Sequence, residues 1–185
     1  MAEMKIYNTA PLPDGRLKKE LEAFELLDSL NIPYERVEHE AAMTIEDCHE
    51  VDKVLQTALC KNLFLTNSAK TAYYLLLMPG DKAFKTKDVS KQIGSTRLSF
   101  GTAEKMEELL NLTPGSVTVM GLMYDKDLKV QLLIDEELLN CEYICFHPNI
   151  NTGSVKAKTA DILNIFLPYT KHSPQFVKLE RYCAE

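Results

Sequence analysis

The sequence predicts an α/β protein with a mixed, largely antiparallel sheet wrapped by helices. Two patterns support this class: short strand-like apolar runs, and segments that repeat apolar residues every three or four positions. A third observation is size and composition, since 185 residues with 45% hydrophobic and 26% charged residues are typical of a globular protein. We expect a single domain over residues 1–185, with 1–15 and 169–185 as terminal extensions.

The first third of the chain predicts a helix, a strand and a second helix. Apolar residues recur over residues 16–30 at the spacing of an amphipathic helix. Residues 34–39 follow a proline and alternate as in a half-buried strand. Thr44 is a suitable N-cap for a helix that runs to Leu55, because its hydroxyl can accept a hydrogen bond from the first turn.

The middle of the chain predicts a hairpin followed by two helices. Two short apolar runs, residues 59–66 and 72–78, flank a mostly polar segment and indicate two largely buried strands that pair with each other. Helices are expected over residues 86–93 and 102–110, where hydroxyl side chains can cap the first turn. A Thr-Pro-Gly sequence at residues 113–115 ends the second of these helices.

The last third predicts a return to strands and one final helix. Strand patterns occur at residues 117–122, 130–135, 143–147 and 154–158. A helix is expected to begin at residue 160 and to end before Pro168, followed by a loosely attached tail or edge segment. No internal repeat or linker interrupts this order.

The charge of the chain limits the classes of partner. A net charge of −6 argues against a general nucleic-acid or DNA binder, because phosphates favour clustered Lys and Arg. Residues 81–97 reverse this sign locally, although charge alone favours a solvated helix face there. No apolar stretch approaches the roughly 20 residues that cross a bilayer. Residues 1–12 lack the features of a secretion signal, so the predicted location is cytoplasmic, with no membrane partner.

Five cysteines, an odd number, are scattered along the chain. A reducing compartment and their apolar surroundings favour free thiols, so we predict no structural disulfide. Cys141 and Cys145 are close enough in sequence to suggest a metal site, but no second close pair accompanies them. The sequence therefore predicts no metal.

Three positions could carry chemistry, and each also has a structural explanation. Lys61 lies in an apolar strand, where an ammonium is costly unless it is paired or reaches a cleft, but it could simply face outward. Gly115 could present backbone amides to a carbonyl or phosphate oxygen, or only cap a helix. His147 ends a strand, either as a catalytic side chain or as a surface residue of a turn. Taken singly, these residues indicate a cleft of unknown purpose.

Taken together and in order, five stretches resemble the YbaK/prolyl-tRNA synthetase-associated editing family over residues 17–167. The matching stretches are residues 39–46 (HEAAMTIE), 60–65 (CKNLFL), 94–100 (GSTRLSF), 113–117 (TPGSV) and 147–163 (from HPN to DIL). The resemblance implies a mixed α/β fold and an aminoacyl-tRNA deacylase, a hydrolase that cleaves the ester of a mischarged tRNA and so protects translation fidelity.

The resemblance also implies roles for particular residues. Lys61 matches the signature lysine of the family and would contact the tRNA 3′ end or the polarised ester, with Asn62 positioning the terminal nucleotide. The loop of Gly115 and Ser116 would present backbone amides to the substrate carbonyl. The family loop usually has the pattern Gly-x-x-x-Pro, and Val119 stands at the last position here, which leaves the rigidity of the loop open.

The implied reaction uses water, assisted by a ribose hydroxyl of the substrate, and needs no cofactor. His147 completes the candidate catalytic set and would also line a small selectivity pocket with Met43 and Thr44, although Thr44 could be a helix cap alone. Arg97 and, as a weaker candidate, Lys91 could contact the acceptor stem.

The free-standing length and the N-terminal helix resemble the group of this family that removes alanine from tRNA(Pro). A deacylase for another amino acid, such as cysteine, is the alternative. The expected partner is mischarged tRNA(Pro), with prolyl-tRNA synthetase or elongation factor as further candidates. Two other classes stay open: a non-catalytic tRNA- or synthetase-binding module, and a small-ligand binding protein.

Overall fold

The computed structural model describes residues 4–41, 45–57 and 60–181, without the side chains of residues 45–49. Its strands are β1 (Tyr34–Glu38), β2 (Cys60–Thr66), β3 (Tyr73–Pro79), β4 (Ser99–Phe100), β5 (Val130–Asp135), β6 (Tyr143–Phe146), β7 (Gly153–Lys158) and β8 (Gln175–Val177). Its α-helices are α1 (Lys18–Ser29), α2 (Ile45–Leu55), α3 (Thr86–Gln92), α4 (Ala103–Leu110), α5 (Thr159–Asp161) and α6 (Leu167–Thr170). No helix within the described ranges combines the length and apolar composition needed to span a membrane.

The strands form two sheets. Sheet A is antiparallel and three-stranded, in the order β1-β7-β6. Sheet B is mixed, in the order β4-β2-β3-β5-β8, with antiparallel pairing on both sides of β2 and parallel pairing on both sides of β5. The predicted mixed α/β class is confirmed, and the division of the strands into two sheets adds to it.

Both faces of sheet B are covered by apolar side chains. One core cluster joins one face of sheet B to sheet A, α1 and α4, and includes Cys60 and Phe64 of β2. A second cluster covers the other face with α3 and the C-terminal segment, and includes Leu65 of β2. Because successive strand residues point to opposite faces, Lys61 shares its face with Leu65, and Asn62 shares its face with Phe64. The single-domain organisation stays a prediction.

The predicted strand over residues 117–122 is wrong, because Val119–Met123 form a 3₁₀ helix. Thr118 caps this helix, since its Oγ1 accepts a hydrogen bond from Met120 N at 3.3 Å. A threonine that bonds the backbone two residues onward offers the chain an alternative to a strand ladder. Val119, Met120 and Leu122 are buried, but in a helical turn and not in a strand.

The final helix does not end before Pro168. A π-helical segment, Ile162–Phe166, follows α5, and α6 continues to Thr170 with the proline in its first turn. Proline is tolerated there because the first amides of a helix need no intrahelical partner, and the wide π turn leads directly into α6.

The C-terminal segment takes the form of an edge strand. β8 pairs in parallel with β5 over Leu133 to Asp135. Val177 and Leu179 are buried in the second core cluster. The segment is therefore part of sheet B, in agreement with the edge-segment alternative and not with a loosely attached tail. The sequence left both open, because three residues are too few to establish a period.

Candidate functional site

His147 follows β6 and lies beside a second histidine. Its Nδ1 lies 2.9 Å from the carbonyl oxygen of Gly153, so Nδ1 carries the proton and donates it to that oxygen. In the neutral ring, Nε2 is then the acceptor. The ring centroid of His39 lies 6.4 Å from that of His147, and His39 Nε2 lies 2.9 Å from Ser154 Oγ. Sheet A therefore holds two imidazoles side by side at one end.

The surroundings of His147 favour its neutral form. Burial lowers the pKa of His147, the hydrogen bond to the Gly153 carbonyl opposes this shift, and positive charge on His39 lowers the pKa further. The net direction is downward from the ordinary value of 6.5. A neutral imidazole can accept a proton from a water molecule at neutral pH, which an imidazolium cannot.

Gly115 occupies the position of a tight turn that favours glycine. Ser116 N donates to Thr113 O at 3.0 Å, which closes a turn with Pro114 and Gly115 at its centre. The φ angle of Gly115 is +87°, as in the third residue of a type II turn. Ser116 is buried, and its Oγ donates to Thr113 O at 2.8 Å. Both donors of Ser116 serve the turn, whereas the Gly115 amide has no partner in the described part of the chain.

This turn is tied to the loop that follows His147. A Cβ atom on Gly115 would lie 3.4 Å from Asn151 Nδ2. Thr118 is fully buried, and its Oγ1 donates to His147 O at 2.7 Å. These contacts bring Gly115 and His147 into one cluster. Val119 is also fully buried, so packing and the Thr118 hydrogen bonds fix this loop without the proline of the family pattern.

Lys61 and Asn62 lie on opposite faces of sheet B. Lys61 is exposed, and its Nζ donates to Lys82 O at 2.9 Å. Asn62 Nδ2 donates to Cys60 O at 3.0 Å, while Asn62 Oδ1 is buried without a partner among the described residues. A buried amide oxygen left unpaired costs about 1–3 kcal/mol, which a ligand donor could recover.

The two faces meet at an open edge of the sheet. β4 pairs only with the last two residues of β2. Gly101 N also donates to Phe64 O on that side, so within the described chain residues 60–63 have a strand partner on the β3 side alone. An extended ligand that crosses this edge could contact Lys61 on one face and Asn62 on the other.

The start of β2 lies against β6. Two hydrogen bonds join the segments: Thr57 Oγ1 donates to Tyr143 O at 3.3 Å, and the Cys60 thiol bonds the backbone of Cys145. The two segments therefore run in the same direction from this contact. Asn62 follows Cys60 on β2 and His147 follows Cys145 just after β6, so each lies two residues beyond this contact.

Arg97 lies on the segment that joins α3 and β4, and Lys91 lies on α3. Both side chains are exposed. Ser68 Oγ donates to Arg97 O at 3.0 Å, which holds this segment against the β2–β3 hairpin. In contrast, Lys82 of the same basic run is 3% exposed and pairs with Asp135 at 2.8 Å. The prediction that the basic residues of the 81–97 segment lie on a solvated helix face is therefore wrong for Lys82.

Met43 and Thr44 lie outside the described residues, so the predicted pocket stays untested on that side. A cavity of about 350 Å³ lies near the start of β2, lined in part by Cys60, Pro79 and Tyr143. No candidate residue that the structure describes lines this cavity. It is distinct from the cluster around His147.

The geometry places the Gly115 turn and the His147 imidazole, whose pKa is lowered, in one cluster. Residues 39–165 match the sequence model of the aminoacyl-tRNA editing domain. The chain belongs to this family, and it is an aminoacyl-tRNA deacylase by class.

Several known proteins are similar to the chain. Prolyl-tRNA editing protein ProX of Acetoanaerobium sticklandii is 32% identical over 139 residues, which are 75% of this chain and 85% of that protein. Prolyl-tRNA synthetase associated domain-containing protein 1 of Mus musculus is 34% identical over 164 residues, 86% of this chain and 95% of that protein. A solved structure described as a candidate trans-editing enzyme for prolyl tRNA synthetase has a TM-score of 0.66 and 16% identity over 90% of this chain and 100% of that chain. This last likeness shows the same fold.

Sequence reasoning missed the residues that support the site. His39 belongs to a stretch that matched the family, but nothing in its spacing placed it beside His147. Thr118 and Asn151 stand in segments that look like ordinary strand and turn. Their contacts join parts of the chain that are distant in sequence, so no local pattern could have identified them.

Proposed function

We propose that this chain hydrolyses the ester between a wrongly attached amino acid and tRNA(Pro), and that the amino acid is alanine. The family match over residues 39–165 carries the proposal, because it spans every candidate residue. The similarity to a protein named for prolyl-tRNA editing supports tRNA(Pro) as the substrate. We expect the reaction to take place in the cytoplasm.

Water is the nucleophile in this proposal. Cys60 adjoins Lys61, but burial raises the pKa of its thiol to about 12, so it is not a thiolate at neutral pH. The Ser116 hydroxyl donates within its own turn. Neither side chain is set up as a nucleophile, which favours direct hydrolysis assisted by a ribose hydroxyl of the substrate.

The described groups can share the work of hydrolysis. His147 Nε2 would accept a proton or a hydrogen bond from the attacking water. The Gly115 amide would donate to the carbonyl oxygen as negative charge develops, a contribution of about 10²–10³ in rate for one such donor. The tRNA 3′ end would cross the open edge of β2, with the Lys61 ammonium on one face and the Asn62 amide on the other.

Selectivity would come from the size of the pocket at His147, completed by Met43 and Thr44. One methylene in an apolar pocket changes binding by only about 1–3 kcal/mol, so a synthetase for proline needs a second, smaller sieve to reject alanine. Cysteine in place of alanine is the alternative substrate. Only a direct comparison of aminoacyl groups separates the two.

Arg97 and Lys91 would contact phosphates of the acceptor stem. Each phosphate contact that is lost should reduce the slope of log affinity against log salt by roughly 0.7–0.9. Arg97→Ala should therefore weaken tRNA binding and flatten its salt dependence. Prolyl-tRNA synthetase and elongation factor stay as candidate partners that could deliver the mischarged tRNA.

The test is single-turnover deacylation of alanyl-, cysteinyl- and prolyl-tRNA(Pro). The wild-type chain should release alanine rapidly and proline slowly, and Lys61→Ala should abolish the release of alanine. Lys126→Ala, an exposed lysine in the turn before β5, is the matched control and should leave the rate unchanged. Release of cysteine alone would establish the alternative substrate. Tight tRNA binding without any release would favour the non-catalytic module.

A further inference from the structure

An exposed aromatic pair lies on the Lys61 face of sheet B. Phe100 of the edge strand β4 is 65% exposed, and its ring centroid lies 6.1 Å from that of the half-buried Phe84. The strand register places Phe100 opposite Leu65. Leu65, Leu63 and Lys61 alternate along β2 onto one face. Leu65 is four residues from Lys61, which is about 13 Å along a strand. Phe100, beside Leu65, therefore lies about 13 Å along the strand direction from Lys61 on the same face.

The residue after Phe100 fixes its position. Gly101 N donates to Phe64 O at 2.9 Å, and a Cβ atom on Gly101 would come within 2.4 Å of the Phe64 ring. The absence of a side chain lets the backbone lie directly on Phe64. Phe100 then projects from the opposite, outer face. A single exposed ring would need no explanation, but two adjacent rings, one on β4 and one in the segment before α3, form a defined apolar surface.

The segment that joins Phe84 and Phe100 is basic. Lys87, Lys91 and Arg97 are exposed and lie on the segment that joins the two aromatic residues, and none has an ion-pair partner among the described residues. Asp88 is the one acidic residue between Phe84 and Phe100. The segment that joins Phe84 and Phe100 therefore carries net positive charge in a chain whose net charge is −6.

We propose that Phe84 and Phe100 form a stacking surface for an unpaired base of the tRNA 3′ end. Proteins that bind single-stranded nucleic acid combine cationic side chains that follow the backbone with aromatic rings on which bases stack. Lys61 would contact the 3′ end where it reaches the edge of β2, and the aromatic pair would hold a base upstream of that point on the same face. The inference rests on the proposed function, because it takes a tRNA end as the ligand.

The test compares two RNA probes in direct binding to the full chain. One is a tRNA(Pro) acceptor-stem duplex with its unpaired 3′ nucleotides, and the other is the same duplex without them. Phe100→Ala should weaken binding of the first probe at least roughly fivefold and leave the second unchanged. Phe100→Tyr should retain binding, because the ring is kept. Phe176→Ala is the matched control, since Phe176 is 44% exposed on β8, the opposite edge strand of sheet B.

Three results would overturn the inference. Equal binding of the overhanging probe by Phe100→Ala and the wild type would show that no base stacks there. Equal weakening of both probes would indicate a general effect on the fold. A change of oligomeric state in Phe100→Ala with unchanged RNA binding would identify the surface as a protein interface. In any of these cases the proposed function still holds if the wild-type chain deacylates mischarged tRNA. If the wild-type chain releases no amino acid, the proposed function itself is refuted.

Discussion

Replacing Lys82 by methionine should strongly destabilise the fold. The side chain is 3% exposed, and its Nζ lies 2.8 Å from Asp135 Oδ2, 2.9 Å from Glu137 Oε2 and 2.8 Å from Leu179 O. Burial opposes the charge of Lys82, but the hydrogen bonds with Asp135 and Glu137 outweigh burial and raise its pKa. One ammonium therefore joins the β3–α3 connection, the end of β5 and the C-terminal segment.

The expected loss of stability follows from the Asp135 carboxylate, which stays buried without its ion-pair partner. Asp135 is 1% exposed, and without Lys82 its described hydrogen bonds reduce to the one from Glu137 N at 3.1 Å. Removing one partner of a buried ion pair costs about 3–5 kcal/mol. In a chain of this size, each kcal/mol lowers Tm by roughly 2–4 °C, so Lys82→Met should lower Tm by roughly 6–20 °C.

The assay is urea and thermal unfolding followed by circular dichroism. A double variant, Lys82→Met with Asp135→Asn, removes both buried charges and keeps an acceptor for Glu137 N, so it should recover at least about 2 kcal/mol of the loss. Arg181→Met is the control, because Arg181 pairs with the same Glu137 from an exposed position and should change Tm far less. A single variant within about 1 kcal/mol of wild type, or a double variant no more stable than the single, would refute the reasoning.

Three further predictions concern the site and its support. The single-turnover deacylation rate should fall as the pH drops through the lowered pKa of His147, below 6.5, because a protonated ring cannot accept a proton; a pH–rate profile checks this. Gly115→Ala should lose about 1–2 kcal/mol of stability in urea unfolding and also lose activity, because its φ is +87° and its new Cβ would contact Asn151. Gly101→Ala should lose about 1–3 kcal/mol in the same assay, because its Cβ would overlap the Phe64 ring.

Two of these predictions have a control variant, and each has an outcome that would contradict it. His147→Asn should remove the acidic limb of the pH profile, and a flat wild-type profile from pH 5 to 7 would contradict the assigned role. Gly94→Ala separates backbone strain from contact, since Gly94 has φ of +65° and nothing within 4 Å of a new Cβ. If Gly94→Ala lost as much deacylation activity as Gly115→Ala, the contact with Asn151 would not explain the effect. An unchanged stability of Gly101→Ala would show that Phe64 can move aside.

The sequence predicted the elements whose pattern is long enough to be read locally. Helix α1 and the β2–β3 hairpin match the predicted ranges within a few residues, because α1 repeats apolar residues every three or four positions and the two strands are continuous apolar runs. β4 was missed, and β8 was expected only as one of two alternatives, a tail or an edge segment, since strands of two and three residues form only where tertiary contacts hold them. The 3₁₀ helix at Val119–Met123 was taken for a strand, because its apolar pattern suits a buried strand equally well and the Thr118 hydroxyl cap decides the backbone.

The candidate site was predictable in its residue types and less so in its arrangement. The sequence correctly predicted that Lys61 and Asn62 point to opposite faces of sheet B, because side chains along a strand alternate every two residues. The use of both Ser116 donors within the turn was not predictable, because the same residues could equally have pointed into a cleft. The hydrogen bond from Thr118 to the His147 carbonyl depends on how distant segments pack, which no spacing records.

The late position of β8 in the chain has a consequence for biosynthesis. All residues of β5 except Gln131 are buried, and β8 covers part of its outer edge. During translation β5 leaves the ribosome before β8, so the nascent chain exposes an unpaired edge on an apolar strand. Such edges are templates for intermolecular pairing. Products that terminate between these two strands should therefore aggregate, and stalled synthesis in this interval should create a demand for chaperones.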